Sequence, residues 1–163
     1  MSMETSAPTE PVRKRVRVAC GVEDAFRVFV ERIDEWWPVE RFSRTADEQY
    51  PPGVTVERVV FEPRSGGRIY ELTSAGDEGV WADVVAYEPP RRLLLAWKPN
   101  DRPEPPTEVE IRFDPEGDGT VVNLEHRGWE LLGARAAEAR AGHDGGWQVP
   151  LDRFTAAVAG LGS

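Results

Sequence analysis

The stretch VWADVVAYEPPRRLLLAWK, residues 80–98, contains two strand-like runs separated by a pair of prolines. Residues 80–87 and 92–98 are rich in the β-branched, aromatic and aliphatic side chains that favour strands, and Pro89-Pro90 interrupts the pattern between them. A parallel crossover needs about a dozen residues or more, so a connection this short joins antiparallel strands. The stretch therefore predicts an antiparallel hairpin.

Comparable runs extend on both sides of this hairpin. They occupy residues 54–61, 68–74, 108–114 and 120–129. Short turns rich in glycine and proline border them, which again permits only antiparallel neighbours. Val12, Lys14, Val16 and Val18 share one parity and indicate a further strand near the N-terminus. The sequence thus predicts a seven-strand antiparallel sheet.

Two apolar stripes have helical spacing, one after the N-terminal strand and one near the C-terminus. Their members are Val22, Ala25, Phe26, Phe29, Val30 and Ile33 in the first stripe, and Trp147, Leu151, Phe154 and Val158 in the second. Pro150 is tolerated only in the first turn of a helix, so the regular C-terminal helix is expected to begin near residues 146–149.

Two shorter helices complete the prediction. Asp34 is placed to cap a short helix that carries Trp36 and Trp37, and residues 134–141 have strong helix propensity up to Gly142. A sheet with one polar face must cover its other face, and only the helices are available to do so. The predicted fold class is α+β, with a curved antiparallel sheet around an amphipathic C-terminal helix and a mostly apolar cavity between them.

Composition and charge narrow the choice of partners. The 163-residue chain carries a formal net charge of -9, which repels nucleic acid and anionic membrane surfaces. Cys20 is the only cysteine, so no intramolecular disulfide forms and a cytoplasmic location is expected. Residues 1–11 lack periodicity and are expected to form a disordered tail, followed by one domain over residues 12–161.

Metal, cofactor and nucleophile sites find little support in the sequence. The two histidines and the one cysteine are far apart and have no ligand spacing. Gly66-Gly67 lacks the context of a phosphate loop and is typical of a hairpin turn, and no nucleophile motif is present. We therefore expect neither a metal nor a cofactor.

A set of short motifs occurs in a characteristic order. They are WWP at 36–38, GG at 66–67, WADV at 81–84, PP at 89–90, LLLAW at 93–97, NLEHRGW at 123–129, GW at 146–147 and LDRF at 151–154. In this order the chain, from residue 12 to 161, resembles the branch named for activators of the heat-shock protein 90 ATPase, within the START/polyketide-cyclase (SRPBCC) superfamily. The resemblance implies the helix-grip fold, in which a curved seven-strand antiparallel sheet surrounds a long C-terminal helix and two short helices follow the first strand.

His126 and Asp83 are the ionisable residues best placed for chemistry. The alternation of apolar and polar residues along the strand of His126 turns the imidazole toward the cavity. There it is either an acid/base or ligand anchor, or a structural histidine bonded to the backbone or to Trp147. Asp83 shares parity with Trp81, and if Trp81 faces the cavity, Asp83 is a candidate acid or base. The even positions of the same strand are equally apolar. The pattern therefore does not decide which face of this strand points inward.

Other charged residues have simpler interpretations. His143 is expected to be solvated in a glycine-rich loop, and Glu110 is expected on the water-facing side of its strand. The predicted cavity lining is mostly aromatic and apolar. It comprises Tyr70, Trp81, Trp97, His126, Trp147, Leu151 and Phe154.

Three functions are compatible with these patterns. The preferred one is binding of a small, largely apolar molecule in the cavity between the sheet and the C-terminal helix. The second is a protein-interaction role, either as the activator that the family name implies or as a homodimer that uses an exposed sheet edge. The third is a cyclase- or hydratase-type enzyme with a cavity acid/base.

Overall fold

The computed structural model describes residues 10–37, 53–98 and 105–162. Within them the strands are β1 Val12–Val18, β2 Val56–Phe61, β3 Arg68–Thr73, β4 Glu78–Glu88, β5 Arg92–Trp97, β6 Thr107–Glu116 and β7 Gly119–Arg127. The helices are α1 Val22–Glu31, α2 Ile33–Trp36, α3 Ala136–Gly146 and α4 Gln148–Ala159, with 3₁₀ turns at Trp129–Arg135 and Gly160–Gly162. Apart from its last two residues, the tail predicted at 1–11 lies outside the described residues.

The strands form one antiparallel sheet with the order β1-β7-β6-β5-β4-β3-β2. From β2 to β7 each strand pairs with its neighbour in sequence, as short turns require, and β1 pairs with β7. The register between β1 and β7 runs from Val12 opposite His126 to Val18 opposite Thr120. The predicted seven-strand antiparallel sheet is confirmed, and its strands differ from the prediction only at their ends.

The two faces of the sheet differ in polarity because side chains alternate along each strand. On β6, Val109, Ile111 and Phe113 are buried on the concave face, while Glu108 and Arg112 are exposed on the opposite face. The helices α1, α2 and α4 pack on the concave side, where α4 also contacts β1. The apolar core therefore lies between the sheet and the helices, as the helix-grip prediction requires.

The C-terminal helix α4 begins where Pro150 allows. Pro150 lies in the first turn, where its missing N–H removes no intrahelical hydrogen bond. Leu151, Phe154 and Val158 are buried in the core. The predicted start near residues 146–149 and the predicted stripe are therefore confirmed. No helix in the described ranges is both long and apolar enough to cross a membrane.

The helix α3 is longer than its local propensity indicates. It continues through Gly142 to Gly146, beyond the end predicted at residue 141. A glycine inside a helix costs about 1 kcal/mol relative to alanine. Tertiary contacts offset this cost, since Arg140 donates to a backbone oxygen just before β1 at 2.5 Å and His143 packs on Trp129.

Asp34 has a different partner from the one predicted. It lies inside α2, which has no side-chain cap, and its Oδ1 accepts the backbone N–H of Val59 on β2 at 2.7 Å. Asp34 thus fixes the short helix to an edge strand instead of capping it. The short helix itself is confirmed, and Trp36 is buried on it.

Candidate functional site

Four tryptophans from four different elements converge on the concave side. Trp37 follows α2, Trp81 lies on β4, Trp97 ends β5 and Trp147 precedes α4. The ring centroid of Trp37 is 4.7 Å from that of Trp81 and 6.1 Å from those of Trp97 and Trp147, and the last two are 5.2 Å apart. Each residue is at most 8% exposed. We call these four residues the tryptophan wall.

The indole N–H groups of the interior tryptophans are not equally satisfied. Those of Trp36, Trp81, Trp129 and Trp147 each donate to an acceptor in the core at 2.7–3.1 Å. The Nε1 of Trp97 is buried and has no hydrogen-bond partner within the described ranges. Because buried polar groups are nearly always paired, this donor requires an explanation.

A β-bulge turns Trp81 toward the wall. Tyr70 pairs with Val80, but Ile69 pairs with Ala82, so Trp81 is an extra residue on β4. The bulge shifts the alternation by one position, and Asp83 consequently points away from the concave face. Asp83 is half-exposed there and pairs with Lys98 at 2.7 Å. The prediction that Asp83 follows Trp81 inward was wrong for this reason.

Glu71 is a buried acidic residue that sequence reasoning missed. It lies on the concave face of β3, its exposed fraction is 0%, and its Oε1 accepts the indole N–H of Trp81 at 2.7 Å. The sequence held one indication of this burial, because Ile69, Glu71 and Thr73 occupy alternate positions and therefore share one face of the strand. The alternative set contains Tyr70 and is more apolar, so parity alone favoured the opposite face.

Tyr70 accordingly lies outside the predicted cavity lining. Its neighbours on β3, Ile69 and Glu71, are buried on the concave face, so Tyr70 projects from the other face. There the Arg68 guanidinium lies over the Tyr70 ring, 4.7 Å from its centroid. The expectation that Tyr70 lines the cavity was therefore wrong.

His126 points inward as predicted and is fully buried. The Trp147 indole donates to its Nδ1 at 3.0 Å, which places the imidazole proton on Nε2, 2.7 Å from Thr107 Oγ1. Burial, together with the nearby His143, holds the pKa of His126 well below its ordinary value. The neutral ring with both nitrogens engaged favours the structural interpretation over that of an acid/base.

His143 was predicted to be solvated, and this was wrong. Because α3 continues past Gly142, His143 lies on a helix and its ring centroid is 4.9 Å from that of His126 and 5.2 Å from that of Trp129. Its Nδ1 is 2.9 Å from the backbone oxygen of Ala139. Burial lowers the pKa of His143, and the bond to Ala139 only partly opposes that effect.

Six of the seven predicted lining residues lie on the concave side. Trp81, Trp97 and Trp147 belong to the tryptophan wall, and His126 is bonded to it. Leu151 and Phe154 lie on α4 and are at most 2% exposed. Their contact with a ligand stays a prediction.

Comparison with known proteins gives the same fold as the structure does. The family model described as "Activator of Hsp90 ATPase homolog 1-like protein" matches residues 20–159. The chain belongs to this family. The resemblance inferred from the motifs is thereby confirmed, and so is the helix-grip fold. No curated protein matches the chain significantly.

Solved structures extend the family comparison. Txn09, described as an anthrahydroquino-γ-pyrone synthase, is 34% identical over 91% of this chain and 98% of its own, with a TM-score of 0.57. CalC of Micromonospora echinospora, described as a self-sacrificing resistance protein, is 26% identical over 93% and 96%, with a TM-score of 0.67. The Aha1 dimer of Colwellia psychrerythraea is 14% identical over 91% and 95%, with a TM-score of 0.62, and shares the fold.

The convex face of this family member carries a charged groove of about 350 Å³. At its floor Glu110 is 7% exposed and accepts hydrogen bonds from Arg92 at 2.5 Å, Arg127 at 3.0 Å and Arg112 at 3.1 Å. Burial by itself would raise the pKa of Glu110, but these three arginines lower it to about 2. Glu110 faces outward as predicted, but arginines cover it instead of water.

Proposed function

We propose that this chain binds a planar, largely apolar small molecule that carries a carbonyl group, on the concave side against the tryptophan wall. The observation that carries the proposal is the Trp97 N–H, which is buried without an acceptor among the described residues. Leaving a buried donor unpaired costs about 1–3 kcal/mol. A ligand carbonyl that accepts from Nε1 removes that cost. Binding then gains free energy beyond what apolar contact with the rings provides.

The surroundings of Trp97 favour a flat ring system. Indole rings are large, rigid and apolar, and they prefer offset or edge-to-face contact with other aromatic rings. Around Trp97 the ring centroids of Trp37, Trp81 and Trp147 lie within 6.4 Å. Ligand sites commonly combine such apolar walls with a few polar groups that fix orientation.

The activity named for Txn09 supports the same ligand class. A γ-pyrone fused to further rings is planar and carries a ring carbonyl, and Txn09 is 34% identical to this chain over 91% of it. The shared family and this level of identity make a fused-ring carbonyl compound the class to test first.

Two alternatives have weaker support. A cyclase- or hydratase-type enzyme needs an acid/base, but Asp83 lies outside and both nitrogens of His126 are engaged. The observation that supports the enzyme alternative is the similarity of the chain to Txn09. A protein-interaction role, with an activator function or a homodimer, is supported by the family name and by the described Aha1 dimer.

Xanthone, a three-ring γ-pyrone with one carbonyl, tests the proposal. We expect it to raise the Tm of the protein in a saturable way, because a ligand stabilises the state that binds it. In Trp97→Phe an aromatic ring remains, but the N–H is lost together with the five-membered ring of the indole. We expect xanthone to bind this variant about five- to tenfold more weakly in equilibrium dialysis, as the loss of one neutral hydrogen bond implies. In the free variant, removal of the unpaired N–H relieves its desolvation cost and offsets part of the cost of the void that the smaller ring leaves.

Trp129→Phe is the matched control. Its indole donates to the backbone oxygen of His126 at 2.9 Å, and its ring contacts His126 and His143. This variant should lose stability by about 1–2 kcal/mol and keep its affinity for xanthone. Absence of xanthone binding, or equal affinities of the native chain and Trp97→Phe, would contradict the proposal.

A further inference from the structure

Thr107 begins β6 beside Trp97 and is buried on the concave face. The two residues lie directly opposite each other in the register of β5 and β6. Side chains in such pairs have Cβ atoms about 4.5–5.5 Å apart. Thr107 is 5% exposed, and its Oγ1 lies 2.7 Å from the Nε2 of His126, whose ring centroid is 6.1 Å from that of Trp97. The hydroxyl of Thr107 therefore belongs to the surroundings of the Trp97 N–H.

The bond from Trp147 decides which atom donates in the contact between His126 and Thr107. An indole N–H can only donate, so the Nδ1 of His126 accepts it and the neutral imidazole carries its proton on Nε2. That N–H donates to the Oγ1 of Thr107. The hydroxyl hydrogen of Thr107 is thus directed to another acceptor, and within the described part of the chain it has none.

Two donors without acceptors among the described residues therefore lie on opposed positions of adjacent strands. They are the N–H of Trp97 and the O–H of Thr107. A carbonyl oxygen has two lone pairs and can accept from both. Hydrogen bonds in a chain polarise one another, so the bonds that run from Trp147 through His126 strengthen Thr107 as a donor. A ring system without that oxygen leaves both donors unpaired, and sites built to bond a polar group discriminate against analogues that lack it.

We propose that Thr107 is the second hydrogen-bond donor to the ligand carbonyl that Trp97 holds, and that it makes the site selective for ketones. This inference rests on the proposed ligand site and adds to it a residue that determines specificity. The carbonyl of a γ-pyrone suits such a pair of donors, because electron donation from the ring oxygen places additional negative charge on the carbonyl oxygen.

Equilibrium dialysis with xanthone and with xanthene, which has a CH₂ group in place of the carbonyl, tests this role. One neutral hydrogen bond changes affinity by about five- to tenfold, so with two donors the native chain should prefer xanthone about 25- to 100-fold. Thr107→Val keeps the shape of the side chain and removes the hydroxyl. Its preference for xanthone should fall to about five- to tenfold, while xanthene binds as it does to the native chain. Thr107→Ser retains the hydroxyl and should keep the full preference.

Thr120→Val is the matched control, since it makes the same substitution at a fully buried threonine on the concave face. The Oγ1 of Thr120 donates to the backbone oxygen of Cys20 at 2.7 Å, so this hydroxyl has its acceptor within the chain. The variant should have a lower Tm, as Thr107→Val should when the N–H of His126 loses its acceptor. It should nevertheless keep the full preference for xanthone.

The infrared carbonyl band of bound xanthone gives a second measurement that does not depend on Thr107→Val folding. Hydrogen bonds lower the stretching frequency of a carbonyl group. Bound to Trp97→Phe, xanthone should therefore still absorb below its frequency in a hydrocarbon solvent, because Thr107 still donates.

The outcomes separate this role from the ligand site itself. Equal preferences of the native chain and Thr107→Val, or a band at the hydrocarbon frequency in Trp97→Phe, would overturn the role of Thr107. The ligand site would still stand if xanthone binds and Trp97→Phe weakens that binding. Failure of xanthone to bind would refute the ligand site and this inference with it.

Discussion

Replacing Glu110 by glutamine tests the electrostatics of the convex face. The three arginines lower the pKa of Glu110 from 4.5 to about 2. Each pKa unit corresponds to about 1.4 kcal/mol, so this difference represents about 3 kcal/mol of stabilisation of the ionised form in the folded chain. The substitution also leaves Arg92 and Arg112 as directly opposed like charges across β5 and β6. We expect Glu110→Gln to lower the free energy of unfolding by about 3 kcal/mol at pH 7.

The effect should depend on pH in one direction. A carboxyl group whose pKa is lowered by folding contributes stability that is fully present above its ordinary pKa of 4.5 and disappears as the pH falls toward about 2. The difference between the native chain and Glu110→Gln should therefore be constant from pH 7 to about pH 5.5 and shrink between pH 4.5 and 2. Urea unfolding followed by circular dichroism at several pH values measures it.

Glu108→Gln serves as the control on the same strand and face. Glu108 is half-exposed and bonds to one arginine, Arg127, at 2.8 Å. Exposed pairs of this kind contribute less than about 1 kcal/mol. A loss for Glu110→Gln no larger than that for Glu108→Gln, or a large loss that stays unchanged down to pH 2, would refute the electrostatic reasoning.

Two further substitutions probe the packing around the site. His126→Ala should lower the free energy of unfolding by about 3 kcal/mol at pH 7, because it removes the bonds to Thr107 and Trp147 and opens a void. Below pH 6.5 the native chain should lose stability, since unfolded histidine takes up a proton that the buried ring does not, and the variant should lose less. Asp34→Ala should cost about 1–2 kcal/mol in urea unfolding, because the buried Val59 N–H loses its acceptor.

The control for Asp34→Ala is the same substitution at an exposed aspartate. Asp24 forms an exposed pair with Arg27 on α1, so Asp24→Ala should change stability by less than about 0.5 kcal/mol. Equal losses for Asp24→Ala and Asp34→Ala would remove the role assigned to Asp34. A native chain whose stability is constant from pH 7 to pH 5 would contradict the buried neutral state of His126.

Much of the fold followed from local patterns. The period of two gave the seven strands, short turns required antiparallel pairing, and the stripe through Leu151 and Phe154 gave the C-terminal helix. The inward direction of His126 followed from the same alternation, because β7 keeps regular pairing with β1 and β6 along its whole length. Pro150 fixed the start of α4, since proline has one tolerated place in a helix.

The site depended on features that local patterns do not contain. One extra residue in β4 turned Trp81 inward and Asp83 outward, and parity cannot reveal where a bulge lies. The same limit hid Glu71, whose buried carboxylate accepts the N–H of Trp81 across the bulge.

The sequence by itself determined which segments are strands and helices and which broad family they build, because those properties depend on periodicity and on residues close in the chain. Only the tertiary structure decided that the Trp97 N–H is unpaired, that Glu71 lies at the tryptophan wall and that His143 packs on His126. Each of these facts joins groups from separate elements, and such contacts are fixed by how the whole chain packs.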